Sequence, residues 1–304
     1  MKLHSPSLRR PLAIVLALLL VSCGSGANRA TLPHAPTELR EVWRSDVRPP
    51  AYAGMPAADS TGVAFTSALS RLILLDATGR TDWVAEGAHL RDVAPRLTPD
   101  LVVAATETGL RAFDRTGGAP AWSADIGERA NTPVPGAGVL VASTWDASIF
   151  GVDERTGTVR WRSPLPGPAF GPAASDGTTA VTTWVADDHA SAGAVAVDTA
   201  TGKQRWAVPL PPGGVSAPAI GAATPPVVVV VAGDLAAHGL EVASGAELWR
   251  TALDGAGSPE VAPLALAGGD VLVAHRLGGM ALLQPGGQMR WQVSSDGAAV
   301  RGAP

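Results

Sequence analysis

Three adjacent residues have the side chains that divalent metal ions prefer. Asp187, Asp188 and His189 would supply two carboxylates and an imidazole. Three neighbouring side chains cannot all point inward at one ion, because successive residues of an extended chain alternate in direction. A solvated loop is therefore the favoured interpretation, and the three residues are kept only as candidates for a metal site.

The other residues with catalytic chemistry do not form a recognisable set. His89, His238 and His275 are scattered, and no Ser-His-Asp set can be assembled from the spacing. The sequence has no glycine-rich phosphate loop, Walker-type motif or zinc signature. It therefore predicts no catalytic residue, no cofactor-binding residue and no cofactor, and so a protein that is not an enzyme.

Cys23, the one cysteine of the 304 residues, has a different chemistry. It follows a basic segment with Lys2 and Arg9-Arg10 and an apolar run from Pro11 to Val21. That run is too short for a helix that crosses a bilayer, which needs about 20 residues. The ending Leu-Val-Ser-Cys resembles the lipobox of bacterial lipoproteins, in which the cysteine thiol carries a diacylglycerol. An ordinary secretory signal with a chance cysteine is the alternative.

The lipobox sets the predicted boundaries at the N-terminus. Residues 1–22 are expected to be a lipoprotein signal peptide, and residues 23–38, rich in small polar residues, a flexible tether. Acyl chains on Cys23 would then anchor the protein at an extracytoplasmic face. This is the outer face of the plasma membrane, or the outer membrane in a host with two membranes. The formal charge of −4 argues against a nucleic-acid partner.

A Gly-x-x-x-Trp unit recurs along the remaining chain. Six tryptophans follow such a glycine, and a seventh has the same flanking residues without it. Successive tryptophans are 39 to 45 residues apart, a period typical of propeller blades. The tryptophans expected to dock one blade on the next are Trp43, Trp83, Trp122, Trp161, Trp206, Trp249 and Trp291.

Each repeat predicts four strands. In the third repeat, Ser148 to Asp153 is a strand, and the segment from Asp153 to Gly157 predicts a tight turn with a bulge, because glycine tolerates positive φ. A proline 11 to 14 residues after each preceding tryptophan marks a short innermost strand. Apolar runs such as 226–231 predict middle strands that are buried on both faces. The fold class is therefore all-β, a β-propeller of four-stranded blades.

The segment from Ala194 to Trp206, Ala-Val-Ala-Val-Asp-Thr-Ala-Thr-Gly-Lys-Gln-Arg-Trp, resembles the tryptophan-docking repeat of the pyrroloquinoline-quinone-type β-propellers. The resemblance covers residues 39–304. Many members bind no quinone and act as scaffolds, including the lipoprotein propeller subunit of the outer-membrane barrel-assembly machinery, which has the same plan of leader and propeller. The resemblance implies a non-enzymatic scaffold that binds envelope proteins.

The quinoprotein dehydrogenases of that family differ from this chain. They have eight blades, a vicinal disulfide beside the cofactor, and a calcium ion held by carboxylate and amide groups. This sequence has fewer repeats and no cysteine after position 23. An oxidoreductase that depends on the quinone or on a metal remains an alternative, as does a sensor that binds a small ligand in the central channel.

The repeats leave the ring unfinished. Trp43 ends a blade whose first strands do not precede it, and residues 298–304 begin a strand in register. We therefore expect six complete blades and a partial seventh from the two chain ends. Either the sequence is truncated after Pro304, which is favoured because an open sheet edge invites aggregation, or the seventh blade has two strands.

Trp145 and Trp184 do not belong to the repeat series. If exposed at a rim, they could anchor a peptide or a sugar; if buried, they fill space between blades, which is the favoured interpretation.

Overall fold

The computed structural model describes residues 43–44, 55–67, 69–87, 89–254, 259, 261–266, 268–275 and 279–294. These residues form six four-stranded antiparallel sheets, each made of consecutive strands. Each sheet is one blade, which confirms the all-β propeller predicted from the repeats. Within these ranges, no helix is long and apolar enough to cross a membrane.

The strands of each blade follow chain order from the innermost to the outermost. Blade 1 contains β1 (Ala57–Ala58), β2 (Gly62–Ser67), β3 (Arg71–Asp76) and β4 (Thr81–Glu86). Blade 2 contains β5 (Arg96–Leu97), β6 (Leu101–Thr106), β7 (Gly109–Asp114) and β8 (Pro120–Asp125). Blade 3 contains β9 (Val134–Pro135), β10 (Val139–Ser143), β11 (Ser148–Asp153) and β12 (Val159–Pro164). Blade 4 contains β13 (Ala174–Ser175), β14 (Thr179–Val185), β15 (Ala192–Asp198) and β16 (Gln204–Leu210). Blade 5 contains β17 (Ala219–Gly221), β18 (Val227–Val231), β19 (Ala236–Glu241) and β20 (Glu247–Ala252). Blade 6 contains β21 (Leu264–Ala265), β22 (Val271–His275), β23 (Gly279–Leu283) and β24 (Met289–Ser294).

The innermost strands are short and lie next to the predicted prolines. They have two or three residues, and β5, for example, starts directly after Pro95. Innermost strands of neighbouring blades contact one another, as β13 does with β9 and β17. Proline is tolerated here because one edge of an innermost strand has no pairing partner in its sheet.

A β-bulge interrupts the pairing of the third and fourth strands in all six blades. In blade 3 the register shifts between Gly151 and Val152. The turn that follows contains Gly157 with a φ of +70°, and the N–H of this glycine donates to the carbonyl of Asp153 at 2.9 Å. The hairpin with a bulge that the sequence predicted is confirmed, and it aims each docking tryptophan at the neighbouring blade.

The hydrophobic core lies between the blades. On β6, Val102 and Ala104 belong to the cluster shared with blade 1, whereas Val103 and Ala105 belong to the cluster shared with blade 3. None of the four is more than 1% exposed. A middle strand is therefore buried on both faces, as its apolar sequence predicted.

Six of the seven predicted docking tryptophans, all but Trp291, lie on the glycine of the next blade among the described residues. The ring of Trp161 covers Gly202, where a Cβ atom would lie 2.4 Å from Cε3 of the indole. The indole N–H of Trp161 donates to the carbonyl of Thr199 at 2.9 Å. The same stacking joins Trp43 to Gly79, Trp83 to Gly118, Trp122 to Gly157, Trp206 to Gly245 and Trp249 to Gly287. Only glycine leaves room for the indole at these positions.

The predicted partial seventh blade lies largely outside the described residues. Trp43 stacks on Gly79 as the fourth strand of a preceding blade would, and it is 36% exposed. The remaining residues of that prediction, 39–42, 45–54 and 295–304, are not described, and neither are the predicted signal peptide, Cys23 and the tether in residues 1–38.

Candidate functional site

The predicted metal candidates lie in the loop of residues 186–191, between β14 and β15. All three are exposed. The carboxylate of Asp188 accepts the N–H of Ala190 at 2.9 Å, and His189 has a left-handed φ of 56°. Across the described ranges, no three His, Cys, Asp or Glu side chains gather in a way that could hold a metal ion.

His238 differs from the other histidines because it is buried, with 2% exposure. Its Nδ1 lies 2.8 Å from Oε2 of Glu247, its Nε2 lies 3.1 Å from Oδ1 of Asp234, and Arg250 pairs with the same aspartate. Burial raises the pKa of Asp234, but interactions with His238, the N–H of Ala236 and the charge of Arg250 together lower that pKa below its usual value. We interpret this network as structural. The other scattered histidines are His89, which is exposed, and His275, whose side chain lies outside the described residues.

The two tryptophans outside the repeats have different environments. Trp184 on β14 packs against the core between blades 3 and 4, and a Cβ atom on Gly193 would lie 2.8 Å from its Nε1. Trp184 therefore fills space between blades. Trp145 lies in the loop between β10 and β11, and only part of it is buried.

Four side chains fix the indole of Trp145. Its Nε1 donates to Oδ1 of Asn131 at 3.0 Å. The guanidinium carbons of Arg91 and Arg129 lie 4.8 Å and 5.4 Å from the ring centroid. The ring of Phe170 meets it edge to face, with centroids 5.2 Å apart and an interplanar angle of 83°. Aromatic and cation–π contacts of this geometry are favourable, so the indole is held in one orientation.

Arg91 is a buried cation, only 8% exposed. Its Nη1 donates to the carbonyl of Ala130 at 2.5 Å, and its Nε lies 3.6 Å from Oε1 of Glu107. Burial lowers the pKa of Arg91, and the carboxylates of Glu107 and Asp92 partly counteract this effect. The guanidinium stays charged, because the ordinary pKa of arginine lies so far above neutral pH.

Arg129 and Asp146 form an ion pair at the edge of Trp145. The backbone N–H of Arg129 donates to Oδ2 of Asp146 at 2.8 Å, and its Nη2 donates to Oδ1 at 3.2 Å. Burial raises the pKa of Asp146, but these hydrogen bonds and the positive charges of Arg129 and Arg91 together lower it below its usual value. Asp146 is therefore ionised at neutral pH and largely neutralises Arg129.

The amide of Asn131 holds the link between blades 3 and 4. Its Nδ2 lies 2.7 Å from the carbonyl oxygen of Ala169, 3.0 Å from that of Gly171 and 3.1 Å from Oγ of Ser143. Asn131 is 2% exposed, so these bonds are made away from water. The two carbonyls flank Phe170, which is 50% exposed and projects from a link that Asn131 fixes at both sides.

These residues share one end of the propeller. In a blade of consecutive antiparallel strands, the loop between the second and third strands lies at the same end as the links between blades, and we call this end the connection face. We call Arg91, Arg129, Asn131, Trp145 and Phe170 together the aromatic–arginine cluster. A groove of about 730 Å³ opens beside it.

Sequence reasoning missed most of this cluster. It singled out Trp145 but not the two arginines, Asn131 or Phe170. In the structure Arg91 and Asn131 occupy equivalent places in successive repeats, because each follows a residue that bridges to the end of a second strand, Leu90 to Thr106 and Ala130 to Thr144. Arg91 also reaches the carbonyl of Ala130 in the next link, a contact that the strand pattern of a single repeat does not show.

The family model for the outer membrane protein assembly factor BamB matches residues 35–144 and 145–303. These two segments cover nearly all of the chain. The chain belongs to the BamB family. Among curated proteins, no sequence matches this BamB-family propeller.

Several solved structures share the fold of this BamB-family chain. BamB from Moraxella catarrhalis has a TM-score of 0.63 and 18% identity, with 86% of this chain and 79% of that chain covered. A europium-containing methanol dehydrogenase has a TM-score of 0.61 and 15% identity, with 82% and 69% covered. The computationally designed protein Ika8 has a TM-score of 0.53 and 15% identity, with 86% and 92% covered. Identities this low show the fold alone.

Proposed function

We propose that this protein is a lipid-anchored, extracytoplasmic scaffold that binds another protein of the bacterial envelope through the aromatic–arginine cluster on its connection face. The observation that carries the proposal is the position of Phe170. This half-exposed aromatic side chain stands on a link fixed by a buried amide and packs against a tryptophan that makes cation–π contacts with two arginines. Membership of the BamB family supports a role in the envelope.

The composition and rigidity of the cluster favour a protein partner. Tryptophan and arginine are enriched among the residues that dominate binding energy at protein interfaces, and phenylalanine is enriched at interface cores. A pre-fixed indole loses little conformational entropy when a partner covers it. Covering the exposed half of Phe170 would remove roughly 100 Å² of apolar surface from water, which is worth about 2.5 kcal/mol.

The anchor is proposed from the sequence around Cys23. The basic segment, the short apolar run and the lipobox-like ending support acylation of this thiol. We expect Cys23→Ser to move the protein from the membrane fraction to the soluble extracytoplasmic fraction. A protein that stays in the membrane fraction after this substitution would refute the anchor.

A non-enzymatic role also belongs to the proposal. The alternative is an oxidoreductase that depends on a quinone or a metal ion, and the fold is shared with a europium-containing methanol dehydrogenase. The described residues do not fit such an ion: no three His, Cys, Asp or Glu side chains among them gather in a way that could hold one, and the amide of Asn131 is already engaged by Trp145 and the link between blades. Quinone-dependent turnover after reconstitution with calcium would overturn this part of the proposal.

The docking surface is tested by co-purification from the protein's own cells. Phe170→Ser should weaken binding of the partner roughly 50-fold, which corresponds to the 2.5 kcal/mol of buried surface. Leu248→Ser is the matched control, because Leu248 is 47% exposed on the outer strand β20, away from the connection face. Equal partner recovery with both variants would contradict the proposal.

A further inference from the structure

Part of the groove beside the cluster is apolar, because the indole of Trp145 and the rings of Pro166 and Pro168 line it. The groove is open to solvent, and its volume of about 730 Å³ is large enough for a few residues of a peptide. The prolines belong to the same link between blades 3 and 4 that carries Phe170. The groove is therefore continuous with the proposed docking surface.

The rim of the groove carries uncompensated negative charge. Arg129 and Asp146 both line it, but they pair with each other. Asp187 and Asp188, in the loop between β14 and β15, also line the groove. Within the part of the chain that the structure describes, neither has a cationic partner, and only Asp188 accepts a hydrogen bond, from a backbone N–H. An occupant with positive charge would complement this rim.

We infer that the groove binds an extended segment of the partner protein that carries a lysine or an arginine. The inference rests on the proposed function and specifies the chemistry of the partner. Long basic side chains combine an apolar stem with a charged end, which matches the two parts of the groove. The stem lies along Trp145 and the prolines, and the charged end lies at Asp187 and Asp188.

An acidic segment fits this groove poorly, because it would bring like charges together at the rim. A polypeptide fits better than a free cation, because one partner surface can cover both the groove and Phe170. Contacts of the partner with Phe170 then bring the basic side chain to the groove at a high effective concentration.

The test uses the purified full-length protein labelled with ¹⁵N and two synthetic peptides. The basic probe is Ac-Ser-Gly-Arg-Val-Lys-Val-Gly-Ser-NH₂, and the acidic control has glutamate at the two basic positions. The indole N–H signal of Trp145 is assigned by its loss in Trp145→Phe. The basic peptide should shift this signal saturably, whereas the acidic peptide should leave it in place.

Charge-removing variants test the role of the rim. The double variant Asp187→Asn/Asp188→Asn should bind the basic peptide about fivefold more weakly, as expected for two solvent-accessible charges. Asp82→Asn/Asp100→Asn is the control, since both residues are exposed and neither lines the groove. The control should change the affinity by less than twofold.

Four results would overturn the inference: an unchanged affinity in Asp187→Asn/Asp188→Asn, an acidic peptide that binds as well as the basic one, spermidine that binds as tightly as the peptide, or an unmoved Trp145 signal. If partner recovery still depends on Phe170 in that case, the groove assignment alone is wrong. If it does not, the proposed docking surface is wrong as well.

Discussion

Replacing Gly202 by alanine tests how neighbouring blades are held together. The φ angle of Gly202 is +70°, and the new Cβ would lie 2.4 Å from Cε3 and 2.5 Å from Cδ2 of Trp161. Those atoms belong to a rigid ring that is itself buried between blades 3 and 4. The indole must therefore leave its site.

The expected cost has three physical parts. An alanine in the left-handed region costs about 1 kcal/mol. Displacing the indole breaks its hydrogen bond to Thr199, which is worth about 1 kcal/mol. Exposing part of a tryptophan that is only 9% exposed adds about 2 kcal/mol. We expect Gly202→Ala to lower the free energy of unfolding by about 4 kcal/mol.

Gly138→Ala is the matched control for backbone strain. Gly138 has a φ of +72°, but no atom lies within 4 Å of the position that its Cβ would take. This variant should lose only about 1 kcal/mol. Both variants are compared with the wild type by equilibrium urea unfolding, followed by tryptophan fluorescence and circular dichroism. A difference between them of less than about 1 kcal/mol would refute the account of tryptophan docking.

Two further predictions concern polar groups. Asn131→Ala leaves the carbonyl of Ala169 and the indole N–H of Trp145 without their partner, whereas the carbonyl of Gly171 still accepts from Ser143. Urea unfolding should therefore show a loss of about 2 to 4 kcal/mol; a loss below about 1 kcal/mol would contradict the role given to this amide. Hydrogen bonds from Arg160 and Thr156 lower the pKa of Asp153 from its ordinary 3.8 to about 2. Its ionised carboxylate therefore stabilises the fold above the unfolded pKa, and that contribution is lost as the pH falls towards 2. An NMR titration of the Asp153 carboxyl should show a midpoint near 2 in the wild type and a higher one in Arg160→Gln; equal midpoints would contradict this cause.

The repeat determined how much of the fold was predictable. Each Gly-x-x-x-Trp unit specifies a positive φ, a bulge and a tryptophan on the outer strand, and these local features recur with a nearly constant period. The innermost strands were predictable because a proline recurs beside each of them. Proline has no N–H to donate, so it is confined to the edge of a sheet or the start of a strand. Local sequence therefore located the strands within each blade.

The candidate site depends on contacts between blades, which strand patterns do not show. Asn131 reaches Ala169, 38 residues further on, and Arg91 reaches Ala130, 39 residues further on. These separations are close to one repeat, so they arise from the way blades stack. The sequence around Phe170 does not identify it as a site residue, because single apolar residues in links between blades are common. Its exposure and its contact with Trp145 are seen only in the structure.

The most direct measurement places a photo-crosslinking amino acid, p-benzoylphenylalanine, at position 170 of the full-length protein in its own cells. Irradiation should join one discrete envelope protein to position 170, and the same label at position 248 should yield no such adduct. No adduct at position 170, or the same adducts at both positions, would contradict the claim that this propeller binds its partner through the aromatic–arginine cluster.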